Sequence, residues 1–228
     1  MSGLDPQRLL AGLTPVDIFA LVSLVVGGGV ALAYYLRLRR RQALAALAAS
    51  MGLEFSTEGP DAAYLEGTGL SLLRSGRRRA AENLLRTRVP AGELMLFDYS
   101  YVTGSGKNQS THSFTVALFE CGGLTAPDFD LRPENLLYKL GELVGFKDID
   151  LPAFPVFSDK YRLTGADEAA IHMFFTPERA AWFERNQGLY VQGAGRFVLL
   201  CKGERQLPPD AWQGFLEEAK VFAAEVLK

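Results

Sequence analysis

The longest apolar stretch of the chain lies close to its N-terminus. From Ile18 to Leu36 no residue is charged, and Phe, Leu, Val, Ala and Gly predominate. An α-helix of this length spans roughly 28 Å, which is close to the hydrocarbon thickness of a bilayer. The pattern therefore predicts one transmembrane helix over residues 17–37, preceded by a short N-terminal segment of residues 1–16.

The charges beside this stretch indicate its direction. Four arginines follow it at once, whereas residues 1–16 hold a single basic residue, Arg8. The four are Arg37, Arg39, Arg40 and Arg41. Cytoplasmic segments next to a span carry the excess of Lys and Arg. We therefore expect an inner-membrane protein with its N-terminus outside, a juxtamembrane helix over residues 38–52 and a cytoplasmic domain over residues 53–228.

Two other interpretations of the apolar stretch stay open at this point. A cleaved signal peptide could use Ala31-Leu32-Ala33 as its cleavage site, although arginines soon after the cut oppose translocation. A helix buried in a soluble core is the second, although such helices rarely run this long without a polar face. The membrane anchor fits the flanking charges best.

Beyond the span, the pattern changes to shorter elements. Two runs, Leu94–Val102 and Thr111–Cys121, alternate between apolar and polar positions, and residues 103–110 between them are rich in Gly and Ser. This predicts a long antiparallel hairpin. A register that pairs odd with even positions would bring the aromatic faces of the two strands together.

The remaining elements complete the prediction of an α+β fold. Further strands are predicted at Leu53–Thr57, Asn83–Val89, Leu189–Gln192 and Arg196–Cys201, and residues 67–81 as a loop or an edge strand. Helices are predicted from Pro133 to Gly145, from Thr176 to Gly188 and from Pro208 to Leu227. Since strands and helices do not alternate one by one, we expect a mainly antiparallel sheet with hairpins and packed helices, including a C-terminal helix.

The charge of the chain changes along its length. The net charge is −2, but residues 37–90 carry ten arginines against five acidic residues, and residues 91–228 carry thirteen basic against nineteen acidic residues. A basic segment next to a span favours contact with anionic lipid headgroups, and the acidic remainder argues against a nucleic-acid partner. The expected headgroup contacts are Arg37, Arg39, Arg40, Arg41, Arg74, Arg77, Arg78 and Arg79. For the last four, a solvated loop is the alternative.

The residues that could form a phosphate-binding loop or a zinc site lack the spacing that such sites require. Gly104-Ser105-Gly106-Lys107 lacks the first glycine and the Ser or Thr of a phosphate-binding loop, and it joins two predicted strands. No zinc-finger or zinc-ribbon spacing relates the soft ligands His112, Cys121, His172 and Cys201. We therefore predict no catalytic residue, no metal and no cofactor, with both cysteines as buried free thiols.

Two acidic pairs leave a second possibility open. Asp128 with Asp130, and Asp148 with Asp150, could hold a hard cation or act as acid and base, but the same spacing suits a strand edge or a turn. The structural interpretation is the favoured one.

A set of short motifs carries a resemblance over roughly residues 40–228. The motifs are Asn83-Leu84-Leu85, Leu96-Phe97-Asp98-Tyr99-Ser100-Tyr101, Phe154-Pro155-Val156-Phe157-Ser158, Tyr161-Arg162-Leu163 and Phe175-Thr176-Pro177. Together they resemble an uncharacterised group of bacterial membrane-anchored proteins, each with one N-terminal span and one soluble domain. The resemblance implies a bacterial inner-membrane setting, and it implies no activity.

The sequence thus favours a membrane-tethered cytoplasmic binding or scaffold module, with the membrane and an unidentified cytoplasmic protein as its partners. The alternative is a hydrolase-type enzyme whose site is assembled from residues distant in sequence. Clustering of Asp98, Asp148, Asp150 and His172 in one open cleft would favour the enzyme, and their dispersal would favour the module.

Overall fold

The computed structural model describes residues 14–134 and 148–228. The chain divides into two compact units, residues 1–43 and 44–228. The helix predicted from Pro133 to Gly145 lies almost wholly outside the described residues, and Pro133 itself is the last residue of a strand.

Helix α1, Pro15–Ser50, begins at a reciprocal cap. The Thr14 backbone N–H and hydroxyl both donate to Asp17 Oδ2, at 2.8 and 2.7 Å, and the Asp17 N–H donates back to Thr14 Oγ1. Gly52, with φ of 66°, follows the helix end and takes the left-handed conformation that reverses the chain there.

The apolar part of α1 is long enough to cross a membrane, and among the described residues no other helix meets that test. None of its most apolar 18-residue stretch is buried. A helix buried in a soluble core would be covered on most sides, so this exposure argues against that interpretation.

The second unit is built on one eight-stranded sheet in which every neighbouring pair is antiparallel. The strands are β1 Glu54–Glu58, β2 Arg77–Val89, β3 Gly92–Thr103, β4 Ser110–Cys121, β5 Ala126–Pro133, β6 Tyr161–Gly165, β7 Tyr190–Gly195 and β8 Phe197–Cys201. Their order across the sheet is β1-β2-β3-β4-β8-β7-β5-β6. The predicted α+β fold is thereby confirmed.

The central hairpin pairs odd with even positions, which is the kind of register that brings the two aromatic faces together. Tyr99 pairs with Phe114 and Phe97 pairs with Val116, so odd positions of β3 face even positions of β4. Because side chains alternate along a strand, the rings of Phe97, Tyr99 and Phe114 share one face of the sheet.

Four helices cover one face of the sheet, and two short helices cover part of the other. The first set is α4 Pro155–Lys160, α5 Glu168–Phe174, α6 Pro177–Arg185 and α7 Trp212–Val226. Their buried residues share an apolar core with Leu94, Leu96 and Phe119 of the sheet. The second set is α2 Ala62–Gly67 and α3 Ser71–Arg74, whose leucines pack on Met95, Phe97 and Leu118.

Two regions differ from the sequence prediction. Residues 67–81 contain α3 and the start of β2, which lies between β1 and β3 and is therefore an inner strand, not an edge. Strands β5 and β6 were not predicted, and β6 forms one edge of the sheet. For β5, the spacing of Asp128 and Asp130 suited a strand edge or a turn equally well, and no secondary structure was predicted for the residues of β6.

Candidate functional site

A cavity of about 440 Å³ opens beside the two short helices. One wall is the segment from Gly69 to Ser75, which includes α3. The other walls are Asp128–Asp130 of β5, Thr164–Ala166 at the end of β6, and Gln192–Gly193 of β7. Sites for small organic ligands are typically about 300–1,000 Å³. The cavity therefore has the volume of a small-ligand site.

Asp130 is the centre of the hydrogen-bond network beneath this cavity. Its Oδ1 accepts from Arg132 Nε at 2.5 Å, and its Oδ2 accepts from Tyr190 Oη and from Gln192 Nε2, each at 2.6 Å. The register explains the grouping, because Asp130 pairs with Gln192 on one side and with Thr164 on the other. Strand pairing thus brings together side chains that lie far apart in sequence.

Gln192 connects this network to the helix above it. Its Oε1 accepts the backbone N–H of Leu72 at 3.0 Å, and its Nε2 donates to Ser71 Oγ. One backbone donor in the first turn of α3 is therefore satisfied by a side chain of β7. The same side chain holds α3 in place at the cavity wall.

Burial sets the protonation of the network. Burial, together with the charge of Asp130 and the hydrogen bond to it, raises the pKa of Tyr190 well above its ordinary value, so the phenol keeps its proton and donates. Burial lowers the pKa of Arg132, but its hydrogen bond to Asp130 and the negative charge of that side chain outweigh this effect and leave the pKa raised. The network therefore holds a carboxylate, a guanidinium and a neutral phenol.

Thr164 differs from its neighbours in the cavity wall. It is only 5% exposed, and it lines the cavity. Within residues 14–134 and 148–228, the structure assigns no hydrogen-bond partner to its hydroxyl. The Thr164 hydroxyl is therefore available to a ligand in the cavity.

The Phe129 ring packs closely against Gly193, and both residues line the cavity. A Cβ atom built on Gly193 would lie 2.3 Å from Phe129 Cε1 and 2.8 Å from Phe129 Cδ1. The Phe129 ring thus occupies the space that any larger residue would need.

The structure separates the predicted headgroup contacts between the two units. Arg37, Arg39, Arg40 and Arg41 follow the apolar part of α1, and the Arg39 guanidinium lies 5.8 Å from the centre of the Tyr35 ring. Arg74 belongs to α3, is exposed and lines the cavity. Their contact with lipid remains a prediction.

The other predicted arginines of the second unit lie at the start of β2. Arg77 and Arg78 are exposed, and Arg78 has φ of 51° in an irregular part of the strand. Arg79 is partly buried, since its guanidinium pairs with Glu66 at 3.3 Å and donates to the carbonyl oxygen of Arg74. Arg77 and Arg78 therefore present the more accessible positive charge.

None of the four residues of the hydrolase alternative lines this cavity. Asp98 is buried in β3 and accepts hydrogen bonds from Asn83 and Thr115. Asp148 accepts the backbone N–H of Leu163 at 3.0 Å. His172 lies beside Glu168 and lines a separate depression formed with residues 151–154. Asp150 is exposed and lines neither the cavity nor the depression beside His172.

The possible metal ligands also lie apart. Among the described residues, no three His, Cys, Asp or Glu side chains form a group that could hold a metal ion. His112 contacts Glu204 at 2.6 Å and Thr103 at 2.7 Å, while Cys121 and Cys201 are buried free thiols. Asp130 is buried and pairs with Arg132, whereas Asp128 is exposed. The two members of the first acidic pair therefore have different surroundings.

Sequence reasoning did not identify Ser71, Thr164 and Gln192 as site residues. A weak signal for Gln192 was present, because a polar residue within the apolar run from Leu189 must find a buried partner. No comparable signal marks Ser71 or Thr164.

No protein-family model matches the chain, and no curated protein matches it. The fold is similar to that in the crystal structure of the mycobacterial trehalose monomycolate transport factor A, TtfA, with a TM-score of 0.55. The two chains are 13% identical, and the match covers 82% of this chain and 92% of that one. At this identity the likeness shows a shared fold, which occurs in a bacterial protein.

Proposed function

We propose that the chain is a membrane-tethered binding module whose second unit lies on the cytoplasmic face of a bacterial inner membrane. The observation that carries the proposal is the exposed apolar stretch of α1, followed directly by four arginines. Exposed apolar surface of this length is stable in a bilayer and costly in water. The arginines favour the cytoplasmic side for everything that follows them.

The chemistry of the cavity favours binding over catalysis. Tyr190 and Gln192 both donate hydrogen bonds to Asp130, and the phenol keeps its proton. A general acid or base needs a pKa near the working pH, whereas the surroundings of Tyr190 move its pKa away from that range. These groups are arranged to hold the shape of the cavity.

The likeness to TtfA bears on the process in which the module would act. TtfA is described as a transport factor. A tethered module that binds a ligand or a partner at the membrane could serve in the same kind of role, without catalysing a reaction itself.

The tether and its orientation are tested by reporter fusions after Lys228. We expect a fluorescent reporter to be active, an alkaline phosphatase fusion to be inactive, and the protein to resist extraction from membranes by alkaline carbonate. Replacing Arg37, Arg39, Arg40 and Arg41 with Glu should raise phosphatase activity. The matched control replaces Arg86 and Arg88, also arginines but far from the apolar stretch in sequence, and should leave the orientation unchanged. An active phosphatase fusion of the parent protein would overturn the proposed orientation.

Contact between the basic segment and lipid is tested in nanodiscs. Hydrogen exchange of residues 74–79 should be slower in phosphatidylglycerol than in phosphatidylcholine nanodiscs, and 0.5 M salt should remove the difference. Replacing Arg77 and Arg78 with Ser should also remove it, because each basic residue near an anionic surface contributes about 1 kcal/mol. Equal hydrogen-exchange rates in both lipids would show that these arginines are solvated surface charges without lipid contact.

A further inference from the structure

We infer that the cavity beside α3 binds an uncharged, hydroxyl-rich ligand, either a free mono- or disaccharide or the sugar headgroup of a lipid. The inference deepens the proposed function and rests on binding being the role of the second unit. It is carried by the pattern of donors, acceptors and charges around the cavity.

The cavity offers both donors and acceptors within a small space. The Thr164 hydroxyl faces it without an assigned partner among the described residues, and Ser71 contributes a second hydroxyl. Asp130 Oδ1 accepts a single described hydrogen bond, from Arg132 Nε, although a carboxylate oxygen can accept two. A sugar hydroxyl donates and accepts at once, so neighbouring hydroxyls can use such a mixed set of partners.

The charges around the cavity favour a ligand without charge. Arg74 and Asp128, which carry opposite charges, both line the cavity, and Arg132 pairs with Asp130 beneath its floor. An anion would lie beside two carboxylates, which is unfavourable at these distances. The Leu72 backbone N–H, a donor that an anion could otherwise use, already donates to Gln192.

The depth of the polar groups distinguishes this cavity from an ordinary surface depression. Asp130, Thr164 and Gln192 are 6%, 5% and 2% exposed, yet all three line the cavity. These side chains are largely enclosed by the sheet, and a ligand hydroxyl in the cavity can replace the water that would otherwise hydrogen-bond to them. Site residues of this kind discriminate well between ligands with and without a hydroxyl group.

Isothermal titration calorimetry on the full chain in phosphatidylcholine nanodiscs tests the inference. The soluble probes are glucose and maltose, the lipid-like probe is octyl glucoside below its critical micelle concentration, and the charged probe is sodium phosphate. Nanodiscs avoid sugar-based detergents, which would compete for the cavity. We expect saturable heat with at least one sugar probe and none with phosphate. Tighter binding of maltose would assign a free saccharide, and tighter binding of octyl glucoside would assign a headgroup.

Three variants test whether the heat measured by calorimetry comes from binding in this cavity. Thr164→Val removes the hydroxyl at nearly constant volume and should weaken binding about fivefold, as the loss of one hydrogen bond does. The matched control is Thr57→Val at an exposed position of β1, which should leave binding unchanged. Ala166→Trp should abolish binding by filling the mouth, because Ala166 is exposed at the cavity wall and lies outside the Asp130 network.

Three results would overturn the inference. They are absence of binding by every sugar probe, binding of phosphate in place of sugar, and equal affinity of the parent protein and Thr164→Val. Circular dichroism confirms that each variant is folded. If sugar binding fails while the protein stays in the membrane with its expected orientation, the ligand class is wrong and the tethered module stands. Hydrolysis of a bound glycoside would instead contradict the binding role.

Discussion

On one face of the sheet, four helices cover aromatic rings in mutual contact, whereas the other face is covered in part by helices of six and four residues. Phe157 of α4, Phe175 at the end of α5 and Phe183 of α6 lie within 6.0 Å of one another, centre to centre. On the opposite face, Asp130 and Gln192 hold the floor of the cavity by hydrogen bonds. Apolar packing fills the first face, whereas on the second face hydrogen bonds organise the region beside the apolar cluster of Phe97, Tyr99 and Phe114.

The difference explains where a site could form. Apolar contacts have no preferred direction, so the aromatic face can close around its rings until little space remains. Hydrogen bonds fix the distance and angle between groups, so the network around Asp130 can hold a cavity open on the second face. The helix-covered face thus supplies stability, and the partly covered face supplies the candidate site.

Removing a ring from the aromatic face should have the largest effect. Phe183 is fully buried and contacts Trp182 and Phe222. Phe183→Ala should lower the free energy of unfolding by about 4 kcal/mol, since it loses burial and leaves a cavity. Urea unfolding followed by circular dichroism measures the change. Phe183→Leu, which keeps most of the volume, should cost about 1.5 kcal/mol. Equal losses for the two variants would show that packing is not what stabilises this face.

Removing the central carboxylate should be the next largest effect. Asp130→Ala takes away the buried charge that neutralises Arg132 and the acceptor for Tyr190, and it should cost about 3 kcal/mol. Its control is Asp128→Ala, an exposed carboxylate on the same strand, which should change stability by less than about 0.5 kcal/mol. Similar small losses for both would mean that the polar network is not structural, and the contrast between the faces would disappear.

Alkaline pH probes both faces through their buried thiols. Burial raises the pKa of Cys201 from 9.0 to about 12 and that of Cys121 to about 11. The folded thiols keep their protons to higher pH than the unfolded ones. Their contribution to stability is therefore complete below pH 9 and is lost as the pH rises from 9 towards 11 or 12.

Each thiol should lower stability by about 1.4 kcal/mol per pH unit within its window. Urea titrations between pH 8 and 10.5, with reductant present, measure this slope. Cys201→Ala should reduce the slope by about that amount. Burial also raises the pKa of Tyr101 and Tyr161 to about 12, so the loss of stability should become steeper above pH 10 in both the parent protein and the variant. A slope that is unchanged in Cys201→Ala would contradict the buried-thiol account.

The central hairpin could be predicted because its side chains alternate locally. The odd positions from Met95 to Tyr101 are all apolar or aromatic, so register and face follow from a pattern within one segment. Strand β5 could not be predicted in the same way. Asp128, Asp130 and Arg132 suggest an exposed edge, and only residues far along the chain reveal that the latter two are buried.

The cavity lay beyond the reach of sequence reasoning for the same reason. Asp130 meets Tyr190 across a separation of 60 residues, and Gln192 meets Ser71 across 121. No local period records such pairs, because the sheet order places β5, β7 and α3 together only in the folded unit. Of the predicted headgroup contacts, Arg74 alone lines this cavity, and it was predicted from its charge. Asp128 and Asp130, which the sequence offered only as a possible acidic pair, line it as well.

The smallest effect concerns the helix caps, one on each face. Asp61 Oδ1 accepts the backbone N–H of Tyr64 at 2.8 Å at the start of α2, and Asp167 Oδ1 accepts that of Ala170 at 3.0 Å at the start of α5. Replacing either aspartate with Ala should cost about 1 kcal/mol, as the loss of an N-cap usually does. The two changes are chemically the same but lie on different faces.

The two substitutions should differ in how much of the surrounding structure shows faster hydrogen exchange. Helix α2 has six residues and one buried leucine, so Asp61→Ala should speed hydrogen exchange through α2 and weaken the cavity wall that follows it. Helix α5 is held by Ile171 and Phe174 in the aromatic core, so Asp167→Ala should speed exchange only in its first turn. Exchange measured by mass spectrometry, together with sugar titration of both variants, separates the two outcomes. If Asp167→Ala loosens its face as widely as Asp61→Ala loosens the other, then the dense packing of rings does not confer the local stability assigned to it.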